Sequence, residues 1–128
     1  MLANDCTVYR LLLAGGSFDK KTGKPLSGGF KRRPPKPDGT LRDQSGLSVC
    51  QSDTNDVSTL AKRWDPKAIV SLLVGDIRSI KTPPSLDVIP DKPNHANIVN
   101  LPAGGEDEDK AELIATYLRD ACIVVYSP

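Results

Sequence analysis

Two sets of residues in this 128-residue chain have side chains that could do chemistry. The first is scattered: Arg10 lies in the apolar run Thr7 to Ala14, Ser48 in Gly46-Leu47-Ser48-Val49, and His95 is the one histidine. An arginine inside an apolar strand must reach solvent, a carboxylate or an acidic ligand, because an unpaired buried guanidinium is too costly. His95 follows the rigid stretch Pro90 to Pro93 at the mouth of a strand, from where an imidazole can face a cleft or simply bond a loop carbonyl. Arg10, Ser48 and His95 together make a cleft only if three distant strands converge. The second set is local. Lys31, Arg32, Arg33 and Lys36 stand among prolines, and the segment Lys20 to Lys36 holds seven Lys or Arg and no acid. Prolines keep such a segment extended, so its cations spread along a surface and suit a phosphate backbone or an acidic protein face.

Several other chemistries are excluded or disfavoured. The glycine pairs 15–16, 28–29 and 104–105 fit neither G-x-x-x-x-G-K-[ST] nor G-x-G-x-x-G, and read as turns. The acidic run Glu106 to Asp109 fits a helix N-terminus, where negative charge is stabilised by free backbone N–H groups. Ser48 sits in no G-x-S-x-G elbow and the cysteines carry no protease signature, so hydrolysis is not expected. Three cysteines, Cys6, Cys50 and Cys122, lie far apart, which argues against both a disulfide framework and, with one histidine, a structural zinc site. No metal or cofactor is expected. The N-terminal apolar run is too short for a signal peptide or a membrane span, and the expected location is the cytoplasm.

The elements that must position these side chains belong to one domain spanning residues 1–128. Eleven prolines and ten glycines make it rich in loops, and aromatics are scarce at 5%. Charge is polarised: residues 1–45 hold nine Lys or Arg against four Asp, residues 46–128 eight against twelve. Thr7 to Ala14, Gly46 to Cys50, Ala68 to Val74, Leu86 to Ile89 and His95 to Leu101 read as strands, with a turn at Pro90 to Pro93 and an apolar tail, Ile123 to Tyr126, able to dock as another. Val57 to Trp64 has helical spacing behind several N-cap residues, and Trp64 is expected to close that helix against the sheet. Lys110 to Cys122 is amphipathic, with Leu113, Ile114, Tyr117 and Leu118 expected in the core. Residues 15–45 show no periodicity and form a long basic loop, with Phe30 the one aromatic near its cations able to stack on a base. The class is α+β: a small mixed sheet of short strands, one long C-terminal helix and one short middle helix.

The ordered set Tyr9-Arg10, Phe30-Lys31, Gly46-Leu47-Ser48-Val49, Gly75-Asp76-Ile77-Arg78 and Pro93-x-His95-Ala96-x-Ile98 resembles a group of small uncharacterised bacterial proteins. That resemblance covers most of the chain and implies a bacterial, intracellular protein. The strand order of Arg10, Ser48 and His95 is also similar to ADP-ribosyltransferase-like folds, in which a split sheet grips NAD. The terminal glutamate of many such enzymes has no match here. Two functions are therefore expected as alternatives. One is a non-catalytic interaction module that engages nucleic acid or an acidic protein through Lys31, Arg32, Arg33 and Lys36. The other is a nucleotide-binding, ADP-ribosyltransferase-like domain with its cleft at Arg10, Ser48 and His95.

Overall fold

A computed structural model describes residues 2–82, 84–103 and 106–128. The chain runs through strand Thr7–Leu12 (β1), a 3-10 turn at Gly15–Ser17, a two-residue hairpin of Phe18–Asp19 (β2) and Lys24–Pro25 (β3), and a second 3-10 turn at Ser27–Phe30. After the basic segment come Leu47–Gln51 (β4), helix Val57–Trp64 (α1), Ala68–Leu73 (β5), the short helix Val74–Arg78 (α2), Asp87–Lys92 (β6), His95–Val99 (β7), helix Glu108–Ala121 (α3) and Ile123–Tyr126 (β8). Six strands form one sheet in the order β6-β7-β4-β1-β5-β8. The class is α+β. Every pairing in the sheet is antiparallel, so the parallel pairs of a mixed sheet are not found among the described residues.

Alternation divides the sheet into two faces. Val8 and Leu12 of β1, Leu47 and Val49 of β4, Ala68, Val70 and Leu72 of β5, and Ala96 and Ile98 of β7 point into the core. Ile77 and Ile80 around α2 join them there, together with Phe30, Ile114, Ala115 and Leu118. The opposite face carries Tyr9 and Leu11 of β1, Ser48 and Cys50 of β4, and His95 and Asn97 of β7, and is covered only in part.

Local chemistry accounts for the helix limits. Asp56 caps α1 by accepting from the Thr59 backbone N–H at 3.1 Å, and Lys62 and Arg63 occupy its last turn. Asp107 caps α3 by accepting from the Lys110 N–H at 3.2 Å. The helix start expected at Gly104 to Asp109 is thus found at Glu108, and residues 104 and 105 lie outside the described set.

Four expectations need correction. Trp64 is 50% exposed, because α1 inserts only Leu60 into the interior and its last residue ends beside a left-handed Asp65. Leu113 and Tyr117 are 46% and 48% exposed. The buried stripe of α3 is Ile114, Ala115 and Leu118, a narrower face that packs chiefly on the Ser27–Phe30 turn. Phe30 is fully buried and cannot stack on a base. The loop of residues 15–45 accordingly begins as packed structure, with Phe18 and Phe30 in the core. Finally, Pro90 to Lys92 belong to β6 and are not a turn. β6 is an edge strand, the place in a sheet where proline is tolerated.

Candidate functional site

The site begins where two central strands part. β1 pairs with β5 along all six of its residues, but with β4 only through Val8↔Gln51 and Tyr9↔Cys50. Beyond Tyr9 the β1 and β4 backbones diverge, and the side chain of Arg10 spans the opening. Its Nη1 donates to the Ser48 carbonyl at 2.8 Å and its Nε to the Gly29 carbonyl at 3.1 Å. Gly29 can come that close to β1 because it lacks a side chain: a Cβ there would sit 2.8 Å from Leu12 Cδ2.

Arg10 is half-buried, and the partners of its guanidinium are backbone carbonyls. Among the described residues no Asp or Glu oxygen lies within 4 Å of its guanidinium. Burial lowers its pKa to about 10, opposed by the more distant charge of Asp43 and reinforced by that of Arg33. The guanidinium thus has two carbonyl partners and, among the described carboxylates, only the more distant charge of Asp43 acting on it.

Two hollows meet at Arg10 and Ser48. One, of about 320 Å³, is lined by Tyr9, Leu11, Leu13, Cys50, Trp64 and His95 as well as these two. It lies on the open face of the sheet and is mostly apolar and aromatic. The guanidinium of Arg63 lies 5.3 Å from the Trp64 ring centroid on the rim. The other hollow, about 340 Å³, lies in the gap between β1 and β4 and adds Ser17, Gly28, Gly29, Lys31, Arg33 and Asp43. Arg10, Ser48 and His95 thus line a single cavity, with a cation-lined hollow beside it.

His95 is held from both ring nitrogens. Nδ1 lies 2.6 Å from Asp91 Oδ1 and Nε2 lies 3.2 Å from Ser48 Oγ. The second oxygen of Asp91 accepts from Asn97 Nδ2 at 3.1 Å. The hydrogen bond from His95 holds the Asp91 carboxyl below its ordinary pKa, with smaller help from the imidazole charge and Asn97. Asp91 reaches His95 because the β6–β7 register shifts between Pro90 and Lys92, which places an extra residue opposite the ladder. Gln51 Nε2 donates to the carbonyls of Lys92 and His95, and Asn55 Nδ2 to those of Gln51 and Asn94, so the hairpin end is tied to β4. Asp91 is the site residue that sequence reasoning missed. The available signal was an acid four residues before the histidine across Pro93-Asn94, obscured by reading the two prolines as bounds of a turn.

The basic segment presents its cations differently from a free stripe. Lys31 pairs with Glu112 on α3. Arg33 pairs with Asp43 through Nη2 at 3.0 Å and Nε at 3.2 Å, which raises the Arg33 pKa. For Asp43, burial pushes the pKa up, but the bonds and charge of Arg33 outweigh it and the net effect is a lowering. Arg32 Nη2 donates to the Arg42 carbonyl at 3.3 Å. Lys36 is exposed in a turn closed by its own N–H to Thr40 and lines neither hollow.

Among the described residues no group of three or more His, Cys, Asp or Glu side chains is placed to hold a metal, and all three cysteines are free thiols. No described helix is long and apolar enough to cross a membrane. Comparison of the chain with family models, with curated proteins and with solved structures finds no match.

Proposed function

We propose that the opening between β1 and β4 is a binding cleft for an anionic ligand carrying a flat ring, of the nucleotide class. The observation that carries this reading is Arg10: a half-buried guanidinium held by two carbonyls, with no carboxylate oxygen within 4 Å among the described residues. An anion in the cleft would supply a closer counter-charge than Asp43 does, and the hydrogen bonds that preset the guanidinium's orientation make it a better phosphate anchor than a free surface cation. The ring would lie in the hollow lined by Tyr9, Leu11 and Trp64, and the phosphate would point toward Arg10, with Lys31 and Arg33, both paired with carboxylates, farther along the second hollow. Each hollow is near the lower limit for a small-molecule site, and the two joined are of ordinary size.

The resemblance to ADP-ribosyltransferase-like folds, read from strand order alone, would go with a nucleotide held in a split sheet. Transfer of ADP-ribose is not part of the proposal, because no glutamate lines either hollow. The other expected role, contact of Lys31, Arg32, Arg33 and Lys36 with nucleic acid or an acidic protein, is supported by the charge asymmetry of the sequence. Against it stand the ion pairs of Lys31 and Arg33 with the protein's own carboxylates.

Trp64 is the chain's one tryptophan and borders the cavity, so its emission reports occupancy. Titration with AMP, ADP and NAD should give saturable changes, at least tenfold weaker for adenosine, which lacks the phosphate. Mixed-sequence DNA and RNA, tested at several salt concentrations against wild type and the triple variant Lys31→Ala/Arg32→Ala/Arg33→Ala, probe the loop. Steeply salt-dependent binding lost in the triple variant, with no response to any nucleotide, would replace the cleft reading by the loop reading.

A further inference from the structure

Ser48, His95 and Asp91 stand in a hydrogen-bonded line that nothing in a binding role requires. We infer that Ser48 is an activated nucleophile, with His95 as its general base, that takes the acyl group of a carboxylic ester bound in the cleft. The inference rests on the cleft being a ligand site and deepens that reading by placing a reacting group inside it.

Three features support it. Ser48 Oγ faces the cavity from an exposed position and lies 3.2 Å from His95 Nε2, within reach of proton transfer. Asp91, ionised and fixed by Asn97, accepts at 2.6 Å from His95 Nδ1, which places the imidazole proton on Nδ1 and leaves Nε2 free to accept from Ser48. Arg10 bonds the Ser48 backbone carbonyl and lines the same cavity, so a cationic donor is present in the hollow that Ser48 Oγ faces. The same arrangement of hydroxyl, imidazole and carboxylate is recognised by geometry and not by order in the chain. Here the order is Ser48, Asp91, His95, with no nucleophile elbow.

The step balances. Ser48 Oγ adds to the ester carbonyl carbon, its proton passing to His95 Nε2. The carbon–oxygen bond to the leaving alcohol breaks, and the alcohol takes that proton from Nε2. Water then repeats the sequence on the acylated Ser48, releasing the carboxylic acid and restoring the hydroxyl. Asp91 acts as a positioning residue throughout.

A fluorophosphonate probe tests this without any nucleotide: Ser48 Oγ forms the bond to phosphorus, fluoride leaves, and the proton passes to His95. Intact mass and peptide mapping should show one label, at Ser48, absent in Ser48→Ala. His95→Gln should label at least a hundredfold more slowly, the scale of a lost general base. Asp91→Asn should lower the limiting rate tenfold or more while leaving the half-saturating probe concentration unchanged, which a merely structural role would not do. As a second approach, the thiol introduced by Ser48→Cys should be alkylated by iodoacetamide faster than Cys50, two residues along the same strand, where burial pushes the thiol pKa up. Wild-type protein that takes no label at Ser48, or equal rates in wild type and His95→Gln, overturns the inference whatever the nucleotide titrations show. His95-dependent labelling without a nucleotide response upholds it and removes only the nucleotide.

Discussion

Replacing Arg10 by leucine separates the binding role of this side chain from its structural one. Two hydrogen bonds from the charged guanidinium to the Gly29 and Ser48 carbonyls are lost. At about 1.5–3 kcal/mol each, their removal costs roughly 3–6 kcal/mol. The lowering of the pKa to about 10 corresponds to roughly 3 kcal/mol held against the charged form, at about 1.36 kcal/mol per pKa unit, and a neutral side chain recovers that. The net destabilisation of Arg10→Leu is therefore about 0–3 kcal/mol, within the stability of an ordinary domain. Ligand binding should suffer more clearly: loss of a charge-assisted contact of about 1.5–3 kcal/mol weakens a phosphate-bearing ligand roughly 10- to 150-fold. Urea unfolding followed by circular dichroism gives the first quantity and the Trp64 titration the second. A variant that binds as well as wild type would refute the anion role. One that is destabilised by more than about 5 kcal/mol would show that Arg10 holds the split strands together and that its charge is incidental.

Other consequences are independent of the ligand. Leu118→Ala removes a fully buried side chain from the face of α3 that meets the core and should cost about 2–5 kcal/mol in urea unfolding, whereas Leu113→Ala, half exposed on the same helix, should cost less than 1 kcal/mol or so. Gly46 has φ +117, and a Cβ there would lie 2.3 Å from the Ile98 carbonyl oxygen, so Gly46→Ala should lose roughly 2–5 kcal/mol and leave a shifted β4–β7 register, visible by amide exchange. Arg78 holds the Asp87 carboxyl below its ordinary pKa through a bond of 2.8 Å. Because the folded value is the lower one, this pair's contribution is full above the unfolded carboxylate value and is lost as pH falls through the folded one; Asp87→Asn should flatten that part of the acid-unfolding curve, and an unchanged curve would rule the pair out as a contributor. Trp64, being half exposed, should emit red-shifted and be quenched freely by iodide in the unliganded protein, and a blue-shifted, protected emission would contradict its place on the cavity rim.

The strands were legible where one face is buried and the other is not. Leu47-Ser48-Val49-Cys50 alternates in the sequence and in the structure, and the Ala68 to Leu72 run, apolar apart from Ser71, is covered on both faces. The helix starts were legible through the N-cap residues before Val57, of which Asp56 does the capping, and the acidic start of α3, since caps act within a single turn. What escaped depends on distant partners. Whether Trp64, Leu113 or Phe30 is covered depends on what packs above it: the Ser27–Phe30 turn takes the place on α3 that the amphipathic pattern assigned to the sheet. The convergence of Arg10, Ser48 and His95 was legible only as a possibility of strand order. Asp91 was hidden for a different reason: a bulge turns it toward His95, and a one-residue offset in pairing leaves no mark in the hydrophobic pattern.

Backbone amide shifts recorded during an ADP titration test the cleft most directly, because they locate the ligand without relying on any variant. The account predicts saturable shifts concentrated at Tyr9, Arg10, Ser48, Cys50 and His95, with smaller ones at Lys31 and Arg33, and none at Lys36 or on α2. Shifts confined to Lys31 through Lys36, or no saturable shift at millimolar ADP, would contradict it.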